Sequence, residues 1–250
     1  MSLVIAAIDD SPAARPVLMA ALAVAPALGA SLEAVHVIED GDTTARAAAE
    51  AAGVPFRSLE GDPLEQLIAM SQEPEVAAVV IGARGRPGGH RPAGHLALQL
   101  AGRADAPVVV VPPDAEPLER LHRVLVAMEG TPAKARSLKR AVELAAAAGL
   151  ELVVVHVDDE SSMPSFSDQI QYEAEAYAQE FLARFVPNAP AARLELRVGV
   201  PADEILATMD EVTAEMVAVG CPQTDDPDRG AVVRQLLDHS RIPILLVPLG

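Results

Sequence analysis

A single cysteine, Cys221, among 250 residues excludes an intrachain disulfide framework and any cysteine-cluster metal site. That usage accords with a reducing compartment. Aromatic residues are almost as scarce, with four Phe, two Tyr and no Trp. Basic residues are few: 19 Lys and Arg stand against 36 Asp and Glu, a net charge of −17. Nucleic-acid binding draws on cationic phosphate contacts, so this balance argues against it, and equally against an anionic membrane surface. No run of about 20 uncharged apolar residues is present, so no transmembrane helix is expected. The opening Met-Ser-Leu-Val-Ile lacks the basic region and long apolar core of a signal peptide. A cytoplasmic location is therefore expected.

Half of the residues are nevertheless apolar, chiefly Ala, Val, Leu and Ile. Such composition suits parallel sheets covered on both faces, whose buried strands read as aliphatic runs. The chain also repeats itself. Gly29–Val37 (GASLEAVHV) resembles Gly149–Val157 (GLELVVVHV) at an offset of 120, which also brings Asp9 onto Glu129 and His36 onto His156. The Gly-x-Pro at Gly61 recurs at Gly199, and Gly82 recurs at Gly220, both at an offset of 138. PVVVVP, from Pro107, matches PILLVP, from Pro243, at 136. Order is kept throughout, so the chain holds two homologous copies separated by one insertion and one deletion. The proline-rich stretch Pro112–Pro117 reads as the linker, giving domains of residues 1–113 and 118–250.

In the first copy the periodicity predicts strands near Leu3–Ile8, Leu32–Val37, Phe56–Glu60, Val76–Ile81 and Val108–Val111. Helices are predicted near Pro12–Leu28, Thr43–Ala52, Pro63–Ser71 and His95–Ala101, with Ser11 and Asp62 as natural caps before a first-turn proline. The insertion, between His156 and Gly199, has a helical apolar period and predicts a longer second helix in the second copy. Alternating strands and helices imply a doubly wound parallel sheet in each copy. Ligands of such sheets bind beyond the carboxyl ends of the strands, where the strand order reverses.

Two segments fall there in the first copy. Asp9, Asp10 and Ser11 follow strand one, and GARGRPGGHRPAGH, Gly82–His95, follows strand four. That loop holds five glycines, three arginines (Arg84, Arg86 and Arg91) and two histidines. Glycines let backbone amides approach an anion, the next helix start adds free N–H groups, and the arginines match a polyphosphate. The bland reading is a solvated surface loop. The equivalent loop of the second copy, GCPQTDDPDRGA, carries Asp225, Asp226 and Asp228 against Arg229 alone, so its formal charge is −2 where the first loop's is +3. It should repel a triphosphate.

These residues resemble the universal stress protein family in its tandem form: an Asp ending strand one, His-Val ending strand two, Gly-Asp-Pro opening helix three, and the glycine loop after strand four. The resemblance implies a Rossmann-like or flavodoxin-like fold, of the adenine nucleotide alpha hydrolase-like kind, with strand order 3-2-1-4-5 in each copy. It implies that the last strands, Val108–Val111 and Ile244–Val247, meet in an internal pseudo-twofold dimer; whether two chains associate further stays open. Nucleotide-binding members carry Gly-x-x-Gly, nine residues, then Gly-Ser or Gly-Thr. The resemblance thus places the main chain of Ala7 and Val37 with Asp9 at an adenine, and Gly82, Arg84, Gly85, Arg86, Gly94 and His95 at the ribose and phosphates of ATP, with magnesium accompanying the nucleotide. Only eight residues separate Gly85 from Gly94, and His95 replaces the hydroxyl residue. Losing one hydrogen bond to a charged phosphate costs about 1.5–3 kcal/mol, so weak binding is expected.

No catalytic residue is assigned: neither a Walker lysine nor a general base is identifiable, so at most a feeble ATPase is expected. No metal ligand set shows zinc-like spacing. Histidines kept by the repeat, His36 and His156, suggest hydrogen bonding in the shared fold. Cys221 reads as an inert small residue. Two functions follow: a stress-response or signalling module binding adenine nucleotide in its first copy, or a nucleotide-free interaction protein of the same fold acting through its surface and oligomeric state.

Overall fold

The computed structural model describes residues 2–38, 43–83, 95–158, 170–222 and 230–249. Its first half runs β1 (Leu3–Ala7), α1 (Ala14–Ala27), β2 (Ser31–Ile38), α2 (Thr43–Ala51), β3 (Phe56–Glu60), α3 (Pro63–Ser71), β4 (Val76–Gly82), α4 (His95–Ala101) and β5 (Val108–Val111). The second half repeats the order: β6 (Arg123–Ala127), α5 (Pro132–Ala147), β7 (Glu151–Asp158), α6 (Ile170–Phe185), β8 (Arg193–Val198), α7 (Pro201–Glu211), β9 (Met216–Pro222), α8 (Ala231–His239) and β10 (Ile244–Leu249). The longer α6 falls within the insertion that distinguishes the second copy from the first.

All ten strands form one sheet in the order β3-β2-β1-β4-β5-β10-β9-β6-β7-β8. Each half thus has the order 3-2-1-4-5. Neighbours within a half are parallel, whereas β5 and β10 are antiparallel, with Ile244 opposite Val110 and Leu246 opposite Val108. Pairing the two last strands leaves neither as an exposed edge. Alternate residues of each strand enter opposite cores. Val4 and Ala6 of β1 face the core beneath α1, α2, α5 and α6, and Ile5 faces the core beneath α3, α4, α7 and α8.

Proline in the first turn opens α3, α5 and α7. Asp62 caps α3 through its Oδ1, which accepts the N–H of Glu65 at 3.0 Å, and Pro63 occupies the first turn. The start of α1 differs from the sequence expectation. Pro12 lies in a turn, the helix begins at Ala14, and the Ser11 hydroxyl accepts the N–H of Ala13 at 3.2 Å rather than capping the helix. The competing partner is Asp9, whose Oδ1 takes both the N–H of Ser11 (3.1 Å) and its hydroxyl (2.5 Å). This Asx-type turn spends the residues that would otherwise have formed the first helical turn.

Candidate functional site at the carboxyl ends of the strands

The strand order reverses between β1 and β4, and four of the residues expected at the site, Ala7, Asp9, Val37 and Gly82, lie at the carboxyl ends of β1, β2 and β4. Ala7 lies beside Val35 on one side and Ile81 on the other. Val37 lies two residues beyond Val35 on β2, and Gly82 ends β4 opposite Val111. Asp9 projects just past Ala7 and is partly exposed. Its Oδ1 is occupied by Ser11, and no partner of Oδ2 occurs among the described residues. Arg84, Gly85, Arg86 and Gly94 lie outside the described residues, as does the side chain of His95, whose backbone opens α4.

Asp9 and Asp10 serve different partners, as adjacent residues on extended backbone should. The Oδ1 of Asp10 accepts the N–H of Ala45 at 2.8 Å and so caps α2 across 35 residues of sequence. Its Oδ2 lies 3.9 Å from Nε2 of His36. Nδ1 of the same ring pairs with the carbonyl of Ile8 at 2.9 Å, which ties the end of β2 to the end of β1. In the second half the tie recurs: Nδ1 of His156 pairs with the carbonyl of Met128 at 2.8 Å. The repeat has therefore kept a histidine that staples the two strand ends.

The carboxylate beside that histidine has moved. Gly130 occupies the position of Asp10, with φ +69°, and Asp158 of β7 supplies an oxygen 3.3 Å from His156 Nε2. A Cβ at Gly130 would lie 3.1 Å from His156 Cε1 and 3.2 Å from Phe181 Cε2, so an aspartate does not fit there without displacing an aromatic ring. Phe181 belongs to α6, is buried, and stacks 4.9 Å from the His156 ring. The second strand-end position is also covered. Leu249, the last residue of β10, places Cδ2 2.8 Å from where a Cβ of Gly220 would be. Both glycine positions of the second half are thus overlain by side chains. Phe181 and Leu249 were not singled out by sequence patterning; the aromatic insertion was the available signal for the first.

Cys221, beside Gly220, is buried, and burial raises its thiol pKa from the ordinary value to about 11. At pH 8 about one folded molecule in a thousand carries the reactive thiolate, against about one in ten at the ordinary value of 9.0. A disulfide-exchange reagent should therefore react with native protein at least 100-fold more slowly than with urea-unfolded protein. Equal rates would show that this strand end opens freely.

Among the described residues no group of three His, Cys, Asp or Glu side chains gathers to hold a metal ion. No helix among them is long and apolar enough to cross a membrane.

A doubly wound parallel sheet whose strand order reverses at one point defines a class of α/β folds, whose ligands, where they have any, lie beyond the carboxyl ends of the strands. The family model described as "Universal stress protein family" matches residues 120–248, the whole of the second-half sheet except the end of β10. The chain belongs to the universal stress protein family. A universal stress protein from Archaeoglobus fulgidus DSM 4304 superposes with a TM-score of 0.70 at 18% identity, over 99% of this chain and 98% of that one. A functionally unknown protein from Pseudomonas aeruginosa PAO1 superposes at 0.67 with 15% identity, over 100% of this chain and 93% of that one. These likenesses show the fold across both halves. No curated protein sequence matches the chain.

Proposed function

We propose that this chain is a cytoplasmic stress-response or signalling module in which the first domain, residues 1–113, binds adenine nucleotide weakly and hydrolyses it little or not at all. The second domain, residues 118–250, is the structural partner in an internal pseudo-dimer. The observation that carries this reading is the asymmetry of the two strand ends. In the first half Asp9 Oδ2 is available to accept from the exocyclic amine of an adenine, and Asp9 is held in place by Ser11. In the second half Leu249 overlies Gly220, and Phe181 and His156 crowd Gly130. The glycine loop of the first half, with Arg84, Arg86 and Arg91, supplies the concentrated positive charge that phosphates require, and Asp225, Asp226 and Asp228 oppose it in the second.

The base end of the nucleotide would lie over the β1 and β2 strand ends, at the main chain of Ala7 and Val37, with Asp9 Oδ2 as the acceptor for its amine. Bound there, the nucleotide would bring its phosphates and any magnesium toward the loop. The His36 staple keeps both strand ends in register and takes no part in bond breaking. With no general base identified, turnover is expected to be negligible.

Titration calorimetry with Mg-ATP tests this. One site per chain is expected, with affinity reduced by at least about 10-fold in the Arg84→Ala, Arg86→Ala double variant, since a single charged hydrogen bond is worth about 10- to 150-fold. Two equal sites would contradict the inactive second domain. Absence of heat at millimolar nucleotide would favour the nucleotide-free interaction protein, which His95 in place of a hydroxyl residue and the shortened loop support.

A further inference from the structure

We infer that the junction between the two halves is a second ligand site, distinct from the strand-end crevice, and that it takes a small organic ammonium compound with an apolar body. The antiparallel seam brings α1 and α5 onto the same face of the sheet, and the space between them is a cavity of about 440 Å³. Its floor is Val109 of β5 with Leu245 and Val247 of β10. The C-terminal end of α1 forms one wall through Leu28, and Leu144 and Ala145 of α5 form the other. Ligand pockets commonly span about 300–1,000 Å³, so a bicyclic ring system fits.

The cavity follows from side-chain size. The helices that line it present alanines, Ala27 on α1 and Ala141 and Ala145 on α5, where larger residues would close the gap. On the opposite face the helices present larger residues, Leu100 of α4 and Leu236 of α8, and both are wholly buried. An aliphatic lining offers few polar partners to hold water and forfeits dispersion contacts while unfilled. Filling it with an apolar body restores those contacts.

Charge at the mouth selects the occupant. The exposed α3–β4 turn contributes Glu73 and Glu75, and the α4–β5 turn contributes Asp105. None of the three makes an ion pair among the described residues, although Glu65, on the neighbouring helix, is paired with Arg103. The residues that line the cavity include no Lys, Arg or His. A cation anchored by its apolar body therefore meets uncompensated carboxylates, and an anion of the same shape is repelled. The mouth is remote from the nucleotide crevice, because these turns lie at the amino ends of β4 and β5, and Gly82 lies at the carboxyl end of β4.

Three probes of nearly equal shape distinguish the readings: 1-naphthylmethylammonium, 1-naphthalenemethanol and 1-naphthoate, each titrated into the full chain without nucleotide and followed by naphthalene fluorescence. The ammonium should bind about 5- to 10-fold more tightly than the alcohol, the worth of one or two exposed charge contacts, and the carboxylate more weakly than either. That preference should fade between low and high salt, because exposed charges are screened. Glu73→Gln, Glu75→Gln should remove the ammonium's advantage and leave the alcohol's affinity unchanged. Ala145→Phe should weaken all three probes by filling the cavity. Failure of both ammonium and alcohol to bind at millimolar concentration overturns the site. Equal affinity for ammonium and carboxylate, or an ammonium preference that survives Glu73→Gln, Glu75→Gln, overturns the assignment to a cation. Because no nucleotide is present, none of these results bears on the reading of the strand-end crevice.

Discussion

Replacing Phe181 by alanine should destabilise the protein by about 3–5 kcal/mol, the range for truncating a buried phenylalanine. Phe181 is 4% exposed in a chain whose aromatic residues are scarce. Four of its six Phe and Tyr lie within α6, and Tyr177, Phe181 and Phe185 recur every four residues on one helix face. Ring centroids at 4.7 Å to Phe185 and 4.9 Å to His156 make Phe181 the hinge of that cluster. Its removal would leave a ring-sized void over Gly130, which has no side chain to fill it, so the site can relax little. Urea unfolding followed by far-UV circular dichroism should show a lowered midpoint with an unchanged slope. A loss below about 1 kcal/mol would mean that α6 does not dock on the strand ends, and the argument that this side of the second crevice is plugged would fall with it.

Leu246→Ala should cost about 2–5 kcal/mol and lower one cooperative transition of the whole chain. Leu246 is wholly buried on β10, opposite Val108 across the seam and beside Val219 within its own half. The backbone hydrogen bonds of β5 and β10 join the halves into one ladder, so loosening the seam loosens both. Leu18→Ala, on α1 in the first half, provides the comparison, since Leu18 is 2% exposed and distant in sequence from the seam. Both variants should shift the same single transition. Two separated transitions, with Leu246→Ala moving one and Leu18→Ala the other, would show that the halves unfold independently and that the seam contributes little.

The strand-end ties of the two halves illustrate how a duplicated fold can diverge without losing a structural device. His36 and His156 hold the same carbonyl contact, but the neighbouring carboxylate comes from the β1–α1 loop in one half and from β7 in the other. Once Gly130 replaced the loop aspartate, an aromatic ring could occupy that space. The same exchange explains why Asp10 is needed in the first half: it also caps α2.

Local and repeated features were legible in the residues themselves. The duplication, the alternation of strands and helices, the longer α6 and the Asp62 cap all follow from periodicity and short-range spacing, and these are properties of neighbouring residues. The placing of Ala7, Asp9, Val37 and Gly82 at neighbouring strand ends follows from the same reasoning, because a doubly wound sheet brings strand ends together by rule. Tertiary structure alone decided the rest. The Ser-Pro signal before α1 was outweighed by Asp9, which claimed the Ser11 N–H and hydroxyl. The contacts of Leu249 with Gly220 and of Phe181 with Gly130 join residues 29 and 51 positions apart, where no period relates them. The cavity between α1 and α5 is space that two distant helices leave over a seam, and its volume depends on how far apart packing holds them, which no stretch of either helix encodes alone.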